Sequence, residues 1–244
     1  MKNKFQASLA SRLHTSCIEF LLKRLTSRVL PVGSEEWRYM RCSFSQFGED
    51  LLVVAALEDA NRKGPAYYVD VGAYDPIEYS NTLLLSKMGW EGINIDPNPR
   101  HAGKFRALRP RDTNLEVAVA ETQGRRNFLL YTNDLTNSLA TPGENGQSVL
   151  GFAPKSKIQV ETLPLVAILD RHLPPGSTFG FLNVDCEGFD LEVLKTNDWS
   201  RYRPWVIAVE DLPWKGSDVE SFCKEQGYRL FARANITKIF LRSD

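Results

Sequence analysis

Residues 67–76 read YYVDVGAYDP. The first five, Tyr67–Val71, are aromatic and β-branched apart from Asp70, and predict a buried strand. Gly72 predicts a tight turn at the carboxyl end of that strand, with Asp70 and Asp75 on either side. Doubly wound α/β sheets bind ligands beyond the carboxyl ends of their strands, where the strand order reverses. A strand, a glycine turn and two carboxylates therefore predict a binding floor here.

Downstream, helical and strand patterns alternate. A helix is predicted over 83–88, a strand over 93–95 ending at Asp96-Pro97, and a helix over 102–108. Strands are predicted over 115–119, 128–132 and 158–163, then a helix over 164–172. Phe179–Val184 predicts a fully buried strand that ends at Asp185-Cys186-Glu187-Gly188. A helix over 189–195, a strand over 205–209 ending at Glu210-Asp211, and a helix over 218–226 follow. The segments 228–232 and 238–242, joined near Asn235, predict a terminal β-hairpin. This alternation implies a Rossmann-like, doubly wound α/β fold. Its sheet is mostly parallel and carries an antiparallel strand from the hairpin. The polar stretch 133–157 is long for a connection in a compact domain and points to a functional loop or disorder.

Upstream, Ser45 is the expected N-cap of a helix that runs through Leu57, with Glu49 and Asp50 in its first turn. Gln46 and Glu49 would lie beside the crevice. Apolar residues at spacings of three and four predict a further helix over residues 1–30, ended by Pro31. That extension of about 40 residues either packs on the domain or contacts a membrane surface or partner. Residues 41–244 form the expected single α/β domain.

The composition sets bounds. The 244 residues suit one α/β domain with a full core. Lys plus Arg equals Asp plus Glu, 30 each, so no broad basic footprint for nucleic acid is expected. Cys17, Cys42, Cys186 and Cys223 show no CxxC spacing, which favours reduced thiols and a cytoplasmic setting. No apolar run is long enough to span a membrane.

The turn also restricts the ligand. A dinucleotide needs G-x-G-x-x-G so that its pyrophosphate can approach the backbone. Here one glycine stands among acids, which repel phosphate. No Gly-Lys-Ser/Thr loop is present either. A nucleoside without phosphates and with positive charge fits, and S-adenosylmethionine carries both a sulfonium and an ammonium. Asp96, 26 positions after Asp70, ends the next strand, where an acid suits two ribose hydroxyls.

Several ordered blocks carry a resemblance. SQFGED (45–50), YVDVGAYDP (68–76), SNT (80–82), GWEGINIDPNP (89–99), FLNVDCEGFDLEVL (181–194) and WVIAVE (205–210) resemble the FkbM-type methyltransferases across about residues 43–242. The resemblance implies a class I S-adenosylmethionine-dependent fold and O-methylation of sugars, glycans or natural products. It implies that Asp70, Gly72 and Asp75 line the methionine end of the cofactor, and Gln46, Glu49, Ala73 and Asn81 are further expected cofactor-binding residues. Asp96 would hold the ribose and Ala118 and Val119 lie near adenine, with Pro97 a further expected cofactor-binding residue.

Methyl transfer to a hydroxyl needs alignment and removal of a proton. Asp185, Glu187 and Glu210 end two neighbouring strands and are the candidate catalytic groups. One role is a general base, its pKa raised by like charges. The other is a divalent cation such as Mg²⁺ held by Asp185, Glu210 and Asp211. The 25-residue spacing from Asp185 to Glu210 resembles that of metal-dependent catechol-type and macrolide-sugar O-methyltransferases. His14, His101 and His172 are not expected to face the crevice. Trp199, Tyr202, Trp205 and Trp214 are expected in the core rather than at a sugar. The alternatives are an inactive cofactor-binding module and N-methylation.

Overall fold

The computed structural model describes residues 35–39, 41–140, 153–212 and 218–243. The helix expected over 1–30 and Trp214 lie outside the described residues. The chain divides into two compact units, Met1–Cys42 and Ser43–Asp244. In the first, the described secondary structure is one 3-10 turn, Glu35–Tyr39.

The second unit is a Rossmann-like α/β fold. Its strands are β1 Tyr67–Val71, β2 Glu91–Ile95, β3 Thr113–Leu115, β4 Ala118–Val119, β5 Gly124–Leu130, β6 Ser138–Leu139, β7 Ser156–Leu163, β8 Phe179–Val184, β9 Val206–Glu210, β10 Tyr228–Ala234 and β11 Thr237–Arg242. Its helices are α1 Glu49–Asp59, α2 Leu83–Lys87, α3 Pro99–Leu108, α4 Leu165–His172, α5 Asp190–Lys195 and α6 Val219–Glu225. The seven-stranded sheet runs β10-β11-β9-β8-β1-β2-β3. β1 is parallel to both β2 and β8, and Val71 pairs with Ile95 on one side and Val184 on the other. The chain winds outward from β1 in one direction through β2 and β3, and in the other through β8 and β9. The switch point therefore lies between β1 and β8, with ligand space beyond Val71 and Val184. β11 inserts antiparallel to both β9 and β10, as the predicted hairpin requires.

Strand alternation builds the two cores. Val69, Val71, Leu182, Val184, Ile207 and Val209 face Leu165, Ile168 and Leu169 of α4, Val193 and Leu194 of α5, and Val219 and Cys223 of α6. The intervening Tyr68, Phe181, Val206 and Ala208 face Val53, Ala56 and Leu57 of α1. Central strands covered on both sides have no polar face, so β8 is buried along its whole length.

Two local expectations are corrected. The strand predicted over 115–119 is two strands: β3 joins the main sheet and β4 leaves it. β4, β7, β5 and β6 form a separate four-stranded sheet inserted between β3 and β8. The helix predicted to start at Ser45 starts at Glu49, after Gly48 in left-handed conformation at φ 87°. Ser45 Oγ instead donates to Asp50 Oδ1 at 3.0 Å, and Phe44 N donates to Asp50 Oδ2 at 2.8 Å. Asp50 thus organises the loop before the helix. Of residues 133–157, the described part carries a 3-10 turn, Asp134–Thr136, and β6. Among the described residues no helix is long and apolar enough to cross a membrane.

Candidate active site

A cavity of about 300 Å³ opens at the carboxyl ends of β1, β2, β8 and β9, with the inserted sheet as one wall. Glu49, Asp70, Asp96, Asp134, Asp185, Glu187 and Glu210 border it, and no Lys or Arg does among the described residues. Gln46, Gly72, Ala73, Asn81, Pro97, Ala118 and Val119 border it as well. All of the predicted site residues except Asp75 and Asp211 thus converge on one space.

The floor is the turn after β1. Gly72 has φ +80°, and a Cβ added there would lie 1.8 Å from the Asp185 carbonyl oxygen. Only a residue without a side chain lets the β1 and β8 ends approach this closely. The ends are stitched by backbone bonds: Gly72 N and Ala73 N both donate to Ile95 O, and Asp185 N donates to Val71 O at 3.0 Å. Asp75, expected at the cofactor, is turned away. Its Oδ1 accepts from Ile77 N and Glu78 N, and its Oδ2 pairs with Lys104 of α3 at 2.6 Å. It closes the turn and does not border the cavity. Its lowered pKa reflects the Lys104 hydrogen bond and these backbone donors overcoming burial.

Asp96 borders the cavity with most of its capacity already used. Tyr74 N donates to Oδ2 at 2.9 Å; Asn98 N donates to Oδ1 at 2.8 Å. His101 Nδ1 lies 3.0 Å from the same Oδ1. A carboxylate only accepts, so His101 carries its proton on Nδ1. Three of the roughly four acceptor positions are filled, which leaves room for one hydroxyl rather than two. His101 itself borders the cavity, on the first turn of α3, against expectation. It stacks edge-on against Tyr74 with ring centroids 5.0 Å apart.

Beside the floor, Asp185, Glu187 and Glu210 each place a carboxylate oxygen within 4.8 Å of the others. The loop that aims the first two is held by Asp190 at the start of α5. Its carboxylate accepts from Cys186 N at 2.7 Å and Gly188 N at 2.9 Å. Burial, and then the charges of Asp70 and Glu49, push the Asp185 carboxyl up to about 7. Burial and the Asp185 charge raise Asp190 as well. The Cys186 thiol is pushed up by burial and by its acidic neighbours, Asp190 and Asp185 first, which makes it a poor nucleophile. Asp211, expected with the metal ligands, pairs instead with Lys238 of β11 at 2.7 Å; Glu187 takes its place in the triad.

Glu187 sits at φ 52°, an uncommon conformation for a side chain of this kind. Strain held at a cavity wall suggests that the side chain is needed there. Glycine would relieve roughly 1–2 kcal/mol of left-handed strain and lose about 0.5–1 kcal/mol in chain entropy. Glu187→Gly is therefore expected to melt within about 3 °C of the wild type or above it, while turnover falls at least about tenfold. A matching loss of stability would show that Glu187 only holds the loop.

Of the aromatic residues expected in the core, Trp199, Tyr202 and Trp205 pack partly buried against it, and Trp214 lies outside the described residues. Trp199 packs edge-on with Phe222 and Tyr228, and Trp205 with Trp90. Residues not anticipated at the cavity include Asn183, Tyr74, Phe128 and the run Asp134–Leu139. Asn183 had a signal: it is the one polar side chain within the buried run of β8. Phe128 and Asp134–Leu139 come from the inserted sheet, which periodicity alone does not place.

The family model described as Methyltransferase FkbM domain matches residues 70–230. The matched segment starts at the floor carboxylate and encloses β8, β9 and their acids. No curated protein and no solved structure gives a significant match.

Proposed function

The chain belongs to the FkbM methyltransferase family, and from that premise we propose that it methylates a hydroxyl of a sugar, glycan or small natural product with S-adenosylmethionine as donor. The sign of the cavity carries this reading: carboxylates from four strand ends and neighbouring loops border it, without a Lys or Arg among the described residues. Such a lining disfavours phosphate and suits a cationic nucleoside.

Asp70, Gly72, Ala73, Gln46, Glu49 and Asn81 would hold the amino-acid end, Asp96 and Pro97 the ribose, and Ala118 and Val119 the adenine. When bound, the cofactor supplies a methyl group on a sulfonium whose bond electrons remain with sulfur. The chain must place the acceptor oxygen in line and receive its proton. Asp185 suits the second task, because burial and like charge raise its affinity for a proton to near neutral pH. Glu187 is the alternative base. A second reading is a hard divalent cation held by Asp185, Glu187 and Glu210, favoured by their oxygens lying within 4.8 Å of one another. All-oxygen donors suit Mg²⁺, which would lower the pKa of a bound hydroxyl.

Calorimetric titration is expected to give binding with S-adenosylmethionine and none with NAD. No heat with the former would defeat the proposal. Methyl transfer is then screened against glycans and small alcohols; transfer confined to amines would shift the reading to N-methylation. Among active preparations, loss of turnover with a chelator and rescue by Mg²⁺ would select the cation, and indifference would select the base.

A further inference from the structure

Beneath the floor runs a chain of buried polar groups that ends on Asp70, and its outer members, Thr82 and Arg109, have no part in the reading above. Arg109, just after α3, is 4% exposed. Its Nη1 donates to Thr82 Oγ1 at 2.8 Å, and its Nη2 donates to Ser80 Oγ at 2.6 Å and to Pro76 O at 2.9 Å. A guanidinium offers no acceptor. Thr82 Oγ1 must therefore accept from Arg109, and its single hydrogen goes to Asp70 Oδ2, 2.7 Å away. From the opposite side, Asn81 Nδ2 donates to Asn183 Oδ1 at 3.0 Å, and Asn183 Nδ2 donates to Asp70 Oδ1 at 2.9 Å. Two donor chains end on one carboxylate, one on each oxygen, which is the pattern an ionised acid requires.

Asp70, Asn81 and Asn183 border the cavity; Thr82 and Arg109 do not. Thr82 is fully buried. The surroundings oppose a negative charge on Asp70: burial raises its pKa, and the Asp96 charge adds to this. Asp185 also interacts unfavourably with it. Among the charged groups acting on Asp70, Arg109 is the cation that counters them, and it reaches the carboxylate through the Thr82 hydroxyl.

We propose that Thr82 and Arg109 are positioning residues that aim the ionised Asp70 carboxylate at the ammonium group of the cofactor's amino-acid end. Two of the roughly four acceptor positions on Asp70 are taken by Thr82 and Asn183, which leaves two for that group. The inference rests on the reading of the cavity as an S-adenosylmethionine site. It deepens that reading by naming what sets the charge and direction of one wall from outside the cavity.

The test compares ligands that differ at that end. S-adenosylhomocysteine keeps the ammonium; 5′-methylthioadenosine lacks the whole amino-acid portion. Both are titrated into the full-length wild type, Thr82→Val and Thr82→Ser. Thr82→Val is expected to weaken S-adenosylhomocysteine about tenfold or more, the scale of one charge-assisted hydrogen bond. It should change 5′-methylthioadenosine less than about twofold, and Thr82→Ser should restore both. In turnover the loss falls on KM for S-adenosylmethionine and leaves kcat unchanged. Equal loss for both ligands would mean a loosened fold, and no loss would mean an idle hydroxyl; either overturns the relay. If the wild type binds neither ligand, the cofactor reading itself fails. Should Thr82→Val not fold, Thr82→Cys, a weaker donor of similar size, is read by the same ratio.

Discussion

Gly72→Ala is expected to melt about 6–12 °C below the wild type and to lose binding of S-adenosylmethionine. The new Cβ would lie 1.8 Å from the Asp185 carbonyl oxygen. That atom is backbone, so no rotamer change relieves the overlap. Relief requires β1 and β8 to part at their carboxyl ends, where Asp185 N donates to Val71 O. The left-handed conformation adds a penalty for any side chain. Overpacking against backbone costs at least about 3 kcal/mol here, and each kcal/mol shifts the melting point by about 2–4 °C in a domain of this size. Gly103 supplies the control. It lies on the exposed face of α3 with open space around its missing Cβ. Gly103→Ala should stabilise by about 0.5–1 kcal/mol. Equal melting points for the two variants would show that the close approach at the floor is not needed.

The second large effect is at Asp185, where stability and turnover are expected to move in opposite directions. Its carboxyl is pushed from an ordinary 3.8 up to about 7 in the folded chain. The folded state then binds more protons than the unfolded one between these values. Its contribution to stability is complete below about pH 4, declines as pH rises to about 7, and is flat above. Because the cavity leaves the carboxyl partly accessible to water, the loss is about 1–3 kcal/mol rather than the full amount the shift implies. Asp185→Asn removes this slope. The variant should match the wild type at pH 4, where the wild-type carboxyl is neutral, and melt several degrees above it at pH 8. Turnover at pH 8 should drop by about 10²–10⁴. In the wild type, kcat/KM should rise with pH and level off above about 7. A variant that is no more stable at pH 8, or that keeps its turnover, would remove Asp185 from the role of base.

The sequence was informative wherever the signal was local. A buried strand that ends in glycine or acid announces its own carboxyl end, so the places of Asp70, Asp96, Asp185 and Glu210 followed from pattern. What pattern does not carry is the direction of a side chain whose partner lies elsewhere in the fold. Asp75 and Asp211 have the same local signature as Asp70 and Glu210, yet Lys104 and Lys238 draw them away from the cavity. The run Leu115 to Val119 keeps one apolar pattern while the chain passes from one sheet to another. His101 ends no strand, and its place at the cavity comes with the carboxylate five residues before it. The helix before β1 already brought Gln46 and Glu49 near the crevice, and the resemblance to a family added Asn81 around the same space.

The inserted sheet departs from the main fold and returns to it at one point. β4 pairs in parallel with the end of β7, Ala118 with Thr162 and Val119 with Leu163, and Ala120 N bonds to Leu163 O. The excursion between them thus starts and finishes side by side, like a loop of cord tied at its own neck. Its length and composition can change without disturbing the register of the strands that carry Asp70, Asp96, Asp185 and Glu210. A catalyst assembled in this way can acquire new acceptors by replacing a detachable wall while the donor machinery stays in place.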